Sequence, residues 1–252
     1  MTRRRFFAPR LSFSLDEKSV VLDADETLHL RDVLRLHPGD EVFVFDGTGH
    51  EFSCAVAAIN RNSSDLTVLS EVAPSRPESP LNLSLAVALL KHEKFDLVVQ
   101  KATELGVNQI IPLTSDRAEV RPRADEHAGK RVARWQRIAL EAAKQSGRAR
   151  VPEIAPPVSF ADFSKDKAEA NLTLMFAERA GQSLGTVCES FTNPLTNLVA
   201  LIGPEGGWTD AEIATGRASG WDIVTLGGRI MRAETAAIAI VVLLQHRFGD
   251  LS

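Results

Sequence analysis

The chain has no tyrosine and only two cysteines in 252 residues. Without tyrosine, any stacking on a planar group falls to Phe, Trp or arginine side chains. Cys54 and Cys188 are too few and too unpatterned for a disulfide framework or a cysteine-based zinc site, which points to a reducing cytoplasm. No apolar run reaches membrane-spanning length, and Met1–Pro9 lacks the sustained apolar core of a signal peptide, so no membrane attachment is expected. The six histidines are dispersed without metal-ligand spacing, so no metal is expected. A phosphate-binding Gly-x4-Gly-Lys-Ser/Thr loop is missing, and Gly203–Gly207 does not follow the dinucleotide spacing.

What is present is an ordinary soluble composition, 44% hydrophobic and 25% charged, long enough for one large domain or two modest ones. The net charge of −4 argues against a polyanionic partner, but its distribution does not. Arg3, Arg4, Arg5 and Arg10 stand in the first ten residues without an acid, and residues 117–150 hold ten Lys or Arg against four acids. Segregation of this kind fits a basic face for nucleic acid, and on charge alone it fits a solvated helix face equally well.

Residues 1–73 read as a small β-rich unit. Asp40–Asp46 alternates polar and apolar before Gly47-Thr48-Gly49, Glu51–Ile59 returns, and Leu66–Val72 adds a strand. Leu30, Val33 and Leu34 have helical spacing, which predicts a helix over 29–36 with Arg31 and Arg35 on one exposed face. The proline-rich stretch Ala73–Pro80 reads as a linker. Beyond it strands and helices alternate: strands over 83–90, 109–113, 172–176, 198–202 and 222–226, helices over 92–105, 131–146 and 236–244. That alternation predicts an α/β domain with a parallel sheet and helices on both faces.

Two strand ends carry unusual turns. Leu198–Ile202 runs into Gly203-Pro204-Glu205-Gly206-Gly207-Trp208, followed by a capping box, Thr209-Asp210-Ala211-Glu212. A tight β-α turn without a ligand accounts for the glycines and the proline, but it does not call for Glu205. The strand over 222–226 runs into Gly227–Thr235, where Arg229, Arg232 and Glu234 stand at the mouth of a nearly uncharged helix. A ligand site explains that cluster; Glu234 complementing the helix dipole and pairing with an arginine is the alternative. In open α/β sheets, ligands sit at the carboxyl ends of strands, so the two turns read as halves of one site.

With these residues assembled, the chain resembles the RsmE family, bacterial methyltransferases acting on N3 of a uridine in 16S ribosomal RNA. The resemblance runs through His29–Arg35, Phe45-Asp46-Gly47, Glu93-Lys94, Gln100-Lys101, Glu104–Val107 and Glu141–Arg148. It ends in Gly203–Gly207, Arg229–Arg232, Glu234-Thr235 and Arg247–Asp250. It implies a PUA-like β-barrel RNA-binding domain over 1–73. Residues 74–252 would then be a SPOUT-type domain whose parallel sheet carries a C-terminal trefoil knot, an exception to the rule against knots. The implied cofactor is S-adenosylmethionine, the implied substrate 16S ribosomal RNA or the small ribosomal subunit, and the implied assembly a homodimer.

Carried over position by position, the resemblance assigns cofactor contacts to Phe176, Leu201, Gly203, Pro204, Glu205, Gly206, Gly207, Leu226, Gly227, Ile230, Met231, Thr235 and Ala236. Gly228 replaces an expected proline, and Lys144 stands where an acid is common on the RNA face. Uracil N3 carries a proton, so the enzyme must expose that edge, remove the proton and steady the charge that spreads to O2 and O4. Arg232 is the candidate for that charge, Glu234 for orienting it or taking the proton, and Glu205 is the rival base. RNA contacts fall to Arg3, Arg4, Arg5, Arg10, Arg31, Arg35, Arg117, Arg121, Arg123 and Arg148. A ribose 2′-O-methyltransferase and a dimeric RNA-binding module with a vestigial pocket are the competing readings.

Overall fold

The structure, a computed structural model, describes residues 3–91, 93–120, 125–165, 170–189 and 195–251, without the side chains of 125–128. It divides into two compact units, Met1–Glu78 with Leu140–Val151, and Ser79–Ala139 with Pro152–Ser252.

In the first unit, β1 (Arg5–Phe7), β2 (Ser19–Leu22), β3 (Glu41–Phe45), β4 (Glu51–Ile59) and β5 (Ser64–Val72) form one sheet in the order β1-β3-β4-β5-β2. β1 runs parallel to β3 and the other pairs are antiparallel. Alternation along β3 turns Val42 and Val44 inward, where they meet Phe6, Val20, Leu22, Phe52 and Cys54. Burial pushes the Cys54 thiol up to about 12, which leaves it an inert core residue.

The helix expected over 29–36 is displaced. α1 (Ala24–Leu28) starts earlier, because the Asp23 side chain accepts from the Glu26 N–H, and it continues as a wider π turn over His29–Val33. The wider turn breaks the 3.6-residue spacing. Leu30 and Leu36 are buried, while Val33 is 67% exposed, and Arg35 has already left the helix with φ 53°. Arg31 and Arg35 are therefore not neighbours on one helical face, although both lie at the surface, Arg31 partly covered and paired with Asp32.

Several cations expected at an RNA face are engaged inside this unit. Glu51, fully buried, accepts from Arg3 at 2.8 Å, from Arg5 at 3.0 Å and from the Ser75 N–H at 3.1 Å. Arg5 also donates to the carbonyls of Lys144 and Arg148. Buried Arg148 holds Glu78 through two nitrogens, at 3.0 and 2.7 Å. Arg10 pairs with Glu17 at 2.5 Å. Lys144 forms an ion pair with buried Glu26, so this departure from the family pattern is turned inward. Burial pushes the Glu26 carboxyl up, and the Lys144 hydrogen bond and charge offset only part of that.

In the second unit, β6 (Asn82–Ala88), β7 (Gln109–Thr114), β8 (Glu153–Ile154), β9 (Val158–Ser159), β10 (Leu172–Phe176), β11 (Asn197–Ile202) and β12 (Asp222–Val224) form a parallel sheet. The order is β12-β10-β11-β6-β7-β8, with β9 beside β7. Parallel neighbours require crossovers. These hold α2 (Lys94–Glu104), α3 (Asp125–Ser146), α4 (Phe160–Phe163), α5 (Leu184–Glu189) and α6 (Asp210–Ala218), and α7 (Ala233–Phe248) follows β12. The fold class is the one expected, a small β unit preceding a parallel α/β sheet. α7 buries Ala237, Ile240, Val241 and Leu244, while Val242 and Leu243 stay about 40% exposed. Among the described residues no helix is long and apolar enough to cross a membrane, and no cluster of metal-ligating side chains occurs.

Lys144→Met should destabilise the protein by about 3 kcal/mol, because it strands the Glu26 carboxyl in a buried site. Adding Glu26→Gln should restore most of that loss. Urea denaturation of the single and double variants checks both; equal losses in the two would remove the charge argument.

Candidate active site

Strand register decides where the two turns meet. Phe176, the last residue of β10, pairs with Ile202 of β11 on one side and Val224 of β12 on the other. The turns after β11 and β12 therefore leave the sheet at one level, on either side of the β10 carboxyl end. Between them lies a cavity of about 400 Å³, within the range of small-molecule sites.

The first turn is held from behind by Trp208. Its buried indole donates from Nε1 to the Phe176 carbonyl at 2.9 Å, tying the β11 turn to the end of β10. The ring packs against Gly203, where an added Cβ would sit 3.0 Å from Nε1, so a side chain there would press on the indole. The Trp208 carbonyl accepts from Arg179 at 3.0 Å, and Arg117 reaches the Gly206 carbonyl at 3.1 Å. Arg117 thus braces this turn. The capping box is present: Thr209 and Glu212 satisfy each other's backbone N–H, and Glu212 also accepts from the Asp116 N–H.

The second turn spans Thr225–Arg232. Gly228 takes φ 94°, which proline cannot adopt, so the turn here follows a path a proline would forbid. Arg232 is the N-cap of α7 by backbone position and its side chain is exposed. Glu234, one residue into the helix, is buried, and its Oε2 has no hydrogen-bond partner, with the Lys94 ammonium 3.9 Å away. No ion pair joins Glu234 to Arg229 or Arg232 among the described residues.

Most of the residues assigned from the sequence come together. Phe176, Gly203, Pro204, Glu205, Gly207, Leu226, Gly227, Ile230, Met231, Arg232 and Ala236 line the cavity. Leu201, Gly206, Glu234 and Thr235 do not: Leu201 is buried in the sheet, and Gly206 backs onto Arg117. Ile230 lines the cavity with most of its side chain in solvent. Sequence reading missed Glu178, Trp208, Thr225 and Ile240, all part of the wall. Ala177-Glu178 directly follows the β10 carboxyl end, which is the signal that could have found Glu178. Arg121 and Arg123 lie outside the described residues.

Glu205 accepts from Lys94 Nζ at 2.9 Å. Partial burial pushes its carboxyl up, but the Lys94 hydrogen bond, its own backbone N–H and the charges of Lys94 and Lys91 together hold it below the ordinary carboxylate range. It is therefore ionised at neutral pH and a weak base. The wall combines carboxylates at Glu178 and Glu205, apolar surface from Ile202, Leu226, Met231 and Ile240, and turn backbone. These suit a molecule with a cationic centre and a flat apolar part.

An RNA methyltransferase domain model matches residues 77–245, and an RNA methyltransferase PUA domain model matches residues 22–69. Ribosomal RNA small subunit methyltransferase E of Synechocystis sp. is 35% identical, over 87% of this chain and 70% of that protein. The chain belongs to the ribosomal RNA small subunit methyltransferase E family. The Bacillus subtilis relative of the same name is 29% identical over 93% of both chains. A crystal structure of ribosomal RNA small subunit methyltransferase E from Neisseria gonorrhoeae, bound to S-adenosylmethionine, superposes with a TM-score of 0.86 at 32% identity, covering 100% of each chain.

Lys94→Met should raise the Glu205 pKa, since the Lys94 hydrogen bond and charge vanish while burial remains. In the wild type the depressed folded value stabilises the protein above the unfolded pKa, about 4.3, and that contribution is lost as pH falls through the folded value. A carbon-detected NMR titration of the Glu205 carboxyl checks the shift; an unchanged midpoint would show that Lys94 does not set it.

Proposed function

We propose that this protein is an S-adenosylmethionine-dependent methyltransferase that modifies 16S ribosomal RNA at N3 of a uridine. The observation that carries the reading is the cavity between the β11 and β12 turns, lined by carboxylates and apolar surface. Family membership and the cofactor held by the Neisseria gonorrhoeae relative support it.

S-adenosylmethionine supplies, when bound, a methyl group on a sulfonium, an electrophile that needs no activation of its leaving group. Phe176, Gly203, Pro204, Glu205, Gly207, Leu226, Met231 and Ala236 would hold it. The Glu178 carboxyl on the wall favours a cation there. The work left to the protein is on the base: excluding water, fixing N3 in line, and favouring the ionised ring. Arg232, exposed beside the cavity at the start of α7, is placed to meet charge on the uracil oxygens. Glu234, buried outside the cavity lining, is the candidate to orient Lys94, whose ammonium lies 3.9 Å from its Oε2.

Surface cations Arg4, Arg31 and Arg35 of the first unit are the proposed phosphate contacts, which position RNA without reading its sequence. Arg3 and Arg5 have their guanidiniums committed to buried Glu51, and Arg148 has its own committed to half-buried Glu78. A second copy of the chain covering Val242 and Leu243 of α7 is the proposed dimer, and the cytoplasm, where ribosomal RNA is, the proposed location.

Purified protein, S-adenosylmethionine and unmodified small-subunit RNA should yield N3-methyluridine by nucleoside mass spectrometry. Arg232→Ala should lower kcat about a hundredfold while cofactor affinity holds. A 2′-O-methylated nucleoside, or no product from folded protein, would contradict the assignment.

A further inference from the structure

A second, larger recess lies in the same unit, a cleft of about 800 Å³ where β6 ends and α2 begins. Its floor is apolar, built from Leu89, Leu90, Phe95 and Trp135, all buried, with the Phe95 and Trp135 rings 4.4 Å apart. Its rim carries Lys94, Arg131 and Arg134 against Glu93 and Asp96. Asp96 is already engaged, by an ion pair from Arg134 and by the Trp135 Nε1 donor at 3.0 Å. Arg131 is exposed and has no acidic partner among the described residues. Lys94 belongs to this rim, yet its ammonium bonds Glu205, a wall residue of the cavity between the turns, at 2.9 Å. Cleft and cavity are thus neighbours across one ion pair.

We propose that this cleft seats the nucleotide to be methylated, with Arg131 at its phosphate and Lys94 at the edge of its base. The proposal rests on the methyltransferase reading and adds where the RNA enters. Three observations carry it. The volume suits a nucleotide, whose flat ring needs an apolar floor and whose phosphate needs a cation at the rim. The cleft adjoins the cavity across the Lys94–Glu205 pair, so a base seated in it would lie beside a methyl donor held in the cavity. Lys94 stands at that point with a partner, Glu205, that it can exchange for a base carbonyl bearing negative charge. The Lys94–Glu205 pair then closes the gap between the two recesses when no base is present.

The test uses the full-length protein, S-adenosylmethionine and small-subunit RNA transcribed with 4-thiouridine in place of uridine. Irradiation of the complex should yield cross-links within residues 89–97 or 131–135. With ordinary RNA, Arg131→Glu should raise KM for RNA about tenfold and leave cofactor affinity unchanged. Lys94→Met should lower kcat about a hundredfold without weakening cofactor binding, whereas a merely structural lysine would lose stability and cofactor binding together. Cross-links absent from the cleft, or an unaltered KM in Arg131→Glu, would overturn the proposal while wild-type methylation of the RNA left the methyltransferase reading intact. A folded wild-type protein that methylates no ribosomal RNA would overturn that reading instead.

Discussion

The bond from the Trp208 indole N–H to the Phe176 carbonyl fixes the geometry on which the site depends. It joins the turn after β11 to the end of β10, the strand that also pairs with β12. The indole packs against Gly203, where an added Cβ would meet it at 3.0 Å. Arg117 and Arg179 hold its carbonyls from outside, and the capping box anchors the start of α6. A turn braced at these points has less freedom to lose on binding than a loose loop, which lowers the ordering cost.

Charge placement follows a second pattern. Buried and half-buried acids draw inward the cations that composition alone would assign to a surface: Glu51 takes Arg3 and Arg5, Glu78 takes Arg148, and Glu26 takes Lys144. Removing either member of such a pair costs more than the pair contributes, because the other charge stays desolvated. In the second unit the same logic works at a mouth instead of in a core. Lys94 stands between ionised Glu205 and buried Glu234, close enough to bind the first and only near the second.

Much of this was legible in the sequence, and the limits have physical causes. The parallel sheet showed because buried strands such as Leu198–Ile202 are continuous apolar runs between helical periods. The two turns showed because a carboxylate in a glycine turn and arginines before an apolar helix have no purely structural need. The π turn at His29–Val33 did not show, since a single wider turn shifts the pattern without changing composition. The inward arginines were hidden for a different reason: a cation's partner, such as Glu51 for Arg5, lies far away in sequence. Glu178 did not show because no glycine or proline flanks it, although it stands two residues past the end of β10. Segment Leu140–Val151 packs with the first unit through bonds such as Arg5 to the Arg148 carbonyl, which no linear pattern displays.

The central claim is that the two turns enclose one pocket for a methyl donor. Calorimetric titration of S-adenosylmethionine into the wild type and into Ala236→Phe, which fills the cavity from the first turn of α7, tests it most directly. Saturable binding at one site, abolished in the folded variant, is the predicted result. Undiminished binding to Ala236→Phe, or no binding to the folded wild type, would contradict it.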